Sequence, residues 1–540
     1  MTQDVDHGVA RSAVGLSLLS LLSPITGVAV EIALAGKLGA SATMDAYRIA
    51  SIVTAFGWQF FIVDIMPILI VPLIARSRSR GKEIETWTIP FSIGNLSLIP
   101  TTVICLVTFA QPGPALALLA PGLVGSGKAS AVLFVRCFAL TFIPLVWAGV
   151  ATGILYAKSV FWVPVGASIG GNLVILIALL AARGGGADLA LVTGTLAASL
   201  LTLVLFMITL LLLMRRAEVP LRVLGSFDLN SDIVASNLAK SLPLMALVFV
   251  GQAASIAINR VLSREPSGTL ATFGYAWKLL ALVSLVPGAL AVVMFPRFAQ
   301  ARFSSAPDGF RTICTKALRM GLYIALPLAG ACFALRFPLT LLLFRRGAFS
   351  LDAAATTSHF FGLLLLAAPA TALSTYLQRI FYAAQDTFTP SLIQSAAFLL
   401  QVIFAPLIGG KFGGEGLCLL VAVTQLLVCT LLSYRLSSTQ DALQLKGMAA
   451  FASELLLLTL VSVWAGCYSA SFFLSASQIQ DALAVMIRIA VTSGFIAAIF
   501  IALTLLLRLP EALEWPRYLR SSGSSILRFA SFRSRHLVGS

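Results

Sequence analysis

Apolar stretches of twenty or more residues recur along this chain from about Ser12 to Leu507, and that recurrence fixes the class of fold before any motif is considered. A helix of about twenty residues crosses a hydrocarbon core about 30 Å thick, and inside lipid only a helix or a closed barrel satisfies its own backbone. About fourteen such stretches can be counted, the first at about 12–35 and the last at about 482–507. The expected fold is an all-α polytopic membrane protein. Composition agrees: of 540 residues, 59% are hydrophobic and 11% charged, with a mean hydropathy of +0.97. The polar start MTQDVDHGVAR carries no small-residue cleavage site before a soluble domain, so the first stretch is expected to stay as a helix.

The net charge of +16 is distributed as a topology signal rather than as a nucleic-acid surface. Basic residues gather in alternate loops, at Arg76, Arg78, Arg80 and Lys82, at Arg215, Arg216 and Arg222, at Arg297 to Arg319, and again beyond Arg508. With fourteen spans all of these fall on one side, which the positive-inside rule makes cytoplasmic together with both termini. The seven cysteines lie singly in apolar surroundings, and the three histidines are too scattered for a metal cluster. No nucleotide-binding loop or nucleophile motif is present, so neither an enzyme nor a cofactor is expected.

A short turn is spelled twice. LYAKSVFWVP places Tyr156 and Pro164 where FYAAQDTFTP places Tyr382 and Pro390, an offset of 226 by subtraction, 382 minus 156. Pro72, expected to end span two, and Pro296 are 224 apart (296 minus 72), and Pro144 and Pro369 are 225 apart (369 minus 144). The pattern reads as a duplication of six helices. An even number per unit gives a parallel repeat about an axis along the membrane normal. The expected organisation is a tail at 1–11, one lobe at 12–214, a cytoplasmic linker at 215–230, a second lobe at 231–437, helices thirteen and fourteen within 450–507, and a basic tail at 508–540. Transporters built from such repeats bind substrate between the lobes and expose it to each side in turn.

Ionisable groups inside spans are costly and mark functional places. Arg48 near the outer end of the first lobe, with Arg260 and Lys278 near the outer side of the second, are candidates for a cationic chamber suited to a diphosphate. The alternative is that each snorkels to an interface. Glu31 and Asp45 are further acids within or opening spans. Asp64, deep in span two, is a candidate for H⁺ or Na⁺ coupling, or for a structural pair with Lys240. Gly184 to Gly186 follow no strand and read as an outer turn rather than a phosphate loop.

The runs GASATMDAYRIASIVTAF, IMPILIVPLIARSRSRG, LLAPGL, YAWKLLALVSLVPGALAVVMFPRFAQ, LFRRGAFS and FYAAQDTFTP, in this order, resemble the MurJ/MviN family, the lipid II flippases of the MOP exporter superfamily. The resemblance implies two six-helix lobes with a V-shaped cavity. It also implies two extra helices whose groove holds a lipid tail, and export of an undecaprenyl-diphosphate-linked saccharide. It puts Asp45 and the charge of Lys278 at motif positions and Glu31 where the family has an aspartate, giving a substrate set of Arg48, Lys278, Arg260, Asp45 and Glu31. Departures are also visible, with Pro24 and Val30 at places of family arginines and Lys278 in place of an arginine. Lys is no equivalent of a bidentate guanidinium, so alternatives are an exopolysaccharide or O-antigen precursor, a MATE-type multidrug exporter, or a non-transporting envelope scaffold. Expected partners are the lipid-linked glycan, membrane lipids, a coupling H⁺ or Na⁺ and cell-envelope synthesis proteins, with no nucleic acid.

Overall fold

The computed structural model describes residues 22–183, 186–227, 231–302, 307–440, 445–473 and 482–513. The expected tail at 1–11, most of the Gly184–Gly186 turn and the basic tail beyond residue 513 lie outside them. Among the described residues the chain is all helical, with no strand. Ten helices among the described residues are long and apolar enough to cross a membrane, or twelve if each of two broken helix pairs is one crossing.

The first helix, α1, occupies residues 22–38. α2 runs as one rod over Ala42–Ser79 and starts where Ser41 Oγ accepts the Met44 N–H at 3.3 Å, the usual service of a serine N-cap. Span two was expected to end at Pro72, but α2 continues through that proline to Ser79, because membrane helices re-satisfy the carbonyl that a proline frees. Between Trp58 and Asp64 the rod widens to a π-helix. There follow α3 (Glu85–Ala110), α4 (Pro112–Leu119), α5 (Gly125–Ala139), α6 (Phe142–Ala157), α7 (Trp162–Ala181) and α8 (Ala187–Arg216). The remaining helices are α9 (Ser231–Leu262), α10 (Thr269–Arg302), α11 (Pro307–Ala334), α12 (Arg336–Phe344), α13 (Leu351–Leu365), α14 (Ala368–Ala383), α15 (Phe388–Gln440), α16 (Leu445–Phe473) and α17 (Ala482–Leu506). α15 unites two expected spans across a break at Gly413, whose φ of 57° and ψ of −149° lie where a side chain is not tolerated.

The chain divides into two compact units. The first comprises Met1–Leu282, Leu343–Leu364 and Thr387–Thr424, so it holds all of the first sequence half and parts of the second. One of its cores packs Phe61, Met66 and Ile70 of α2 against Phe91 of α3, Val146 and Ile154 of α6 and Phe206 of α8. The outer faces of its helices are apolar as well: Ile99, Val103 and Val107 on α3, and Leu200, Val204 and Ile208 on α8, are exposed at four-residue spacing. A stripe of that kind has lipid as its natural neighbour. The second unit comprises Val283–Leu342, Leu365–Asp386 and Gln425–Ser540. Leu322 and Tyr323 of α11, Leu455 of α16 and Phe500 of α17 form a core there, and Tyr323 Oη and Thr504 Oγ1 are hydrogen-bonded at 3.1 Å.

The twice-spelled turn has one backbone conformation in both places. Ser159 and Gln385 are left-handed, with φ of 61° and 62°, and their positions differ by 226. Val160 N–H donates to the Leu155 carbonyl and Ser159 N–H to that of Tyr156, while Asp386 N–H donates to Phe381 and Gln385 N–H to Tyr382. Each donor and each acceptor is displaced by the same 226 residues. These are the paired bonds of a left-handed helix C-cap. The helix ends keep this offset too: α5, α6 and their break correspond residue for residue to α13, α14 and theirs, Gly125 to Leu351 and Ala157 to Ala383.

Candidate functional site

Glu31 on α1, Arg48 on α2 and Lys278 on α10 converge within the first compact unit. Arg48 Nη1 donates to Glu31 Oε1 at 3.0 Å and Nη2 donates to Oε2 at 2.5 Å, a bidentate fork. Lys278 Nζ lies 3.6 Å from Glu31 Oε1. The Arg48 and Glu31 side chains are 10% and 7% exposed, whereas that of Lys278 is 52% exposed. Two cations share one carboxylate, so the group carries one net positive charge, presented by the ammonium. Burying the pair is tolerable because the fork satisfies both carboxylate oxygens.

Arg48 is held from behind as well. Its guanidinium carbon lies 4.8 Å from the centroid of the Tyr275 ring, which is fully buried, and Tyr275 Oη donates to the Gly39 carbonyl at 3.1 Å. Gly274 completes the fit, since a Cβ built there would lie 2.5 Å from Arg48 Nε. That Nε is buried without a hydrogen-bond partner. Tyr275, which opens the YAWKL run, and Gly274 just before it were missed in the sequence; the 226-residue offset from Arg48 to Gly274 was the available signal.

Asp45, one turn before Arg48, is turned elsewhere. Its Oδ2 accepts from Gly268 N–H at 2.6 Å and its Oδ1 from Ala271 N–H at 2.7 Å. A buried carboxylate from the first half thus caps the N-terminus of α10 in the second, where the helix dipole and the unpaired amides favour an anion. Equivalent loops brace the same region from both sides: Gly122 N–H donates to Ser263 Oγ at 3.2 Å, and Ala348 N–H donates to the Gly36 carbonyl at 2.9 Å.

Arg260 is not brought to this group. It donates from Nη1 to the Leu118 carbonyl at 2.8 Å and lines a separate cavity. Asp64 lies at the end of the π-helical stretch, where Gln59 Nε2 donates to its Oδ2 at 2.5 Å. The side chain of Lys240 lies outside the described residues, so the alternative pair with Asp64 does too.

Comparison with known proteins places the chain and its fold. The family model described as lipid II flippase MurJ matches residues 34–487. A probable lipid II flippase MurJ of Rhizobium meliloti (strain 1021) is 26% identical over 152 residues, 28% of each chain. The Rickettsia prowazekii (strain Madrid E) counterpart is 24% identical over 215 residues, 39% of this chain and 42% of that one. The chain therefore aligns with less than half the length of these relatives. Among solved structures, a lipid II flippase MurJ in an inward closed conformation superposes with a TM-score of 0.74 at 16% identity, covering 92% of this chain and 99% of that one. An inward-facing MATE-family multidrug transporter of the MOP superfamily gives 0.61 at 16% identity, covering 77% and 96%. At 16% identity the two structural likenesses concern the fold alone. With a family model matched over most of its length, the chain belongs to the MurJ family.

Proposed function

We propose that this protein is a flippase that carries an undecaprenyl-diphosphate-linked saccharide, foremost the peptidoglycan precursor lipid II, from the cytoplasmic to the periplasmic leaflet of a bacterial inner membrane. The observation that carries the reading is the Glu31–Arg48–Lys278 group, a net positive charge kept inside membrane-spanning helices at the contact of the two sequence halves. Such a charge is costly in hydrocarbon unless it serves an anion. Lys278 offers a diphosphate a mobile point charge, and Arg48 stays locked behind it.

Fourteen spans in two six-helix lobes, with both termini cytoplasmic, complete the proposal. α1 adds one crossing to the twelve, and α15, too long at 53 residues for a single crossing, adds another by its break at Gly413. The 226-residue identity of the Ser159 and Gln385 turns supports the duplication.

A second reading is favoured by one residue. Lys278 stands where a guanidinium would grip a diphosphate with two bonds, which suits a different polyprenyl-linked glycan, such as an exopolysaccharide or O-antigen precursor. Expression in cells depleted of their essential lipid II flippase tests the first reading: restored growth and restored exposure of lipid II on the outer leaflet are expected. Failure of a well-expressed, membrane-inserted protein to restore either removes lipid II as cargo and leaves the second reading.

A further inference from the structure

Between α9, α15 and the short helix α4 lies a cavity of about 460 Å³. Ile256, Ala257, Val402 and Pro406 give it an apolar wall, and Arg260 and Arg264 line it as well. The two arginines follow each other at the four-residue spacing of neighbours on one helical face. The apolar part of α9 ends at Leu262, so the pair sits where the span leaves the hydrocarbon.

Arg260 gives one N–H to the Leu118 carbonyl, and a guanidinium has five. Arg264 is exposed. Among the described residues neither arginine forms an ion pair with a carboxylate, and Glu415 is 3.0 Å from His359 Nε2. From Arg260 the wall extends back along α9 to Ala253, about 10 Å at 1.5 Å per residue. A cation pair at the interface above an apolar groove matches a molecule with a phosphate at one end and a hydrocarbon chain at the other. A free phosphate has nothing to lay along the wall, and a zwitterionic headgroup brings its own cation.

We propose that this cavity is a binding site for an anionic phospholipid, with the headgroup phosphate between Arg260 and Arg264 and an acyl chain along Ile256 and Val402. The site does not rest on the identity of the cargo. Because Leu118 belongs to the first sequence half and α9 to the second, the lipid covers a seam between them.

Purified full-length protein in a neutral detergent, supplemented with dioleoylphosphatidylglycerol or dioleoylphosphatidylcholine, tests it by native mass spectrometry and thermal unfolding. The anionic lipid is expected to remain bound and raise the melting temperature, and the zwitterionic one is not. Arg264→Gln weakens retention about fivefold, the loss of one interfacial cation, and Ala253→Trp fills the groove and abolishes retention. Both replace exposed residues, so folding is preserved, and the melting temperature without lipid verifies it. Equal stabilisation by the two lipids overturns the proposal, as does wild-type retention in both variants. Full competition by inorganic phosphate also overturns it, because it makes the cavity a simple anion site.

Discussion

Arg48 and Gly274 are 226 residues apart in sequence, 274 minus 48, and in direct contact in the fold. That separation is also the offset between the two copies of the repeated turn, so the two residues hold equivalent positions and face each other. Asp45 and Ala271 are related in the same way, and they share a hydrogen bond. At such a place only one partner has room for a long side chain. In these two pairs the first half carries the charge, and the second half supplies the space and the backbone amide.

Gly274→Val is therefore expected to push Arg48 off Glu31. The melting temperature in detergent falls by several degrees and transport is lost, because a buried carboxylate left without its partner costs about 3–5 kcal/mol. Wild-type stability and activity in this variant would show that the contact yields freely.

Lys278 and Arg48 separate into two roles under mutation. Lys278→Ala leaves the buried fork intact, so thermal stability stays within about 1 kcal/mol of wild type while headgroup export in proteoliposomes falls at least about tenfold. Lys278→Arg restores most of it. Arg48→Ala, in contrast, destabilises by about 3–5 kcal/mol. Unimpaired export by Lys278→Ala would take the substrate role away from the triad.

Asp45→Asn keeps one acceptor for the two amides at the start of α10 and turns an NH₂ group toward the other. A cost of about 1–2 kcal/mol is expected, read as a lower unfolding midpoint. Lys278→Ala in the same background adds no further penalty to stability. An unchanged midpoint in Asp45→Asn would mean that the cap contributes nothing.

The membrane potential is expected to drive export. An inside-negative potential favours departure of an anion from the cytoplasmic side by about 2.3 kcal/mol per charge per 100 mV, about 4.6 kcal/mol for a diphosphate with two charges. Proteoliposomes under an imposed potential, comparing wild type with Asp64→Asn, report this through headgroup exposure. Indifference to potential in both proteins refutes the mechanism, and loss confined to the mutant assigns ion coupling to Asp64.

Much of this was legible in the sequence, and what was not has a physical reason. Helix positions follow from apolar length, and the Tyr156 and Tyr382 turns announce themselves because a left-handed cap repeats its spelling. The prolines were poorer markers: α2 passes through Pro72, and Pro144 and Pro369 miss the common register by one residue. Direction around the helix was not readable for Arg260. That is why Arg260 was grouped with Lys278 and lies instead beside Leu118. Asp45 looked like a ligand because its partners are backbone amides, which any sequence contains.

The cap made by Asp45 also sets an order of events during synthesis. Glu31 and Arg48 are 17 residues apart, so the first helical hairpin enters the bilayer with that pair already neutralised. Asp45 has no partner until Gly268, 223 residues later, has been made. At about 5–20 residues per second, α2 waits roughly 11–45 s for the amides that satisfy its carboxylate. Until the ribosome has delivered the start of α10, the first half carries a carboxylate whose two amide partners do not yet exist.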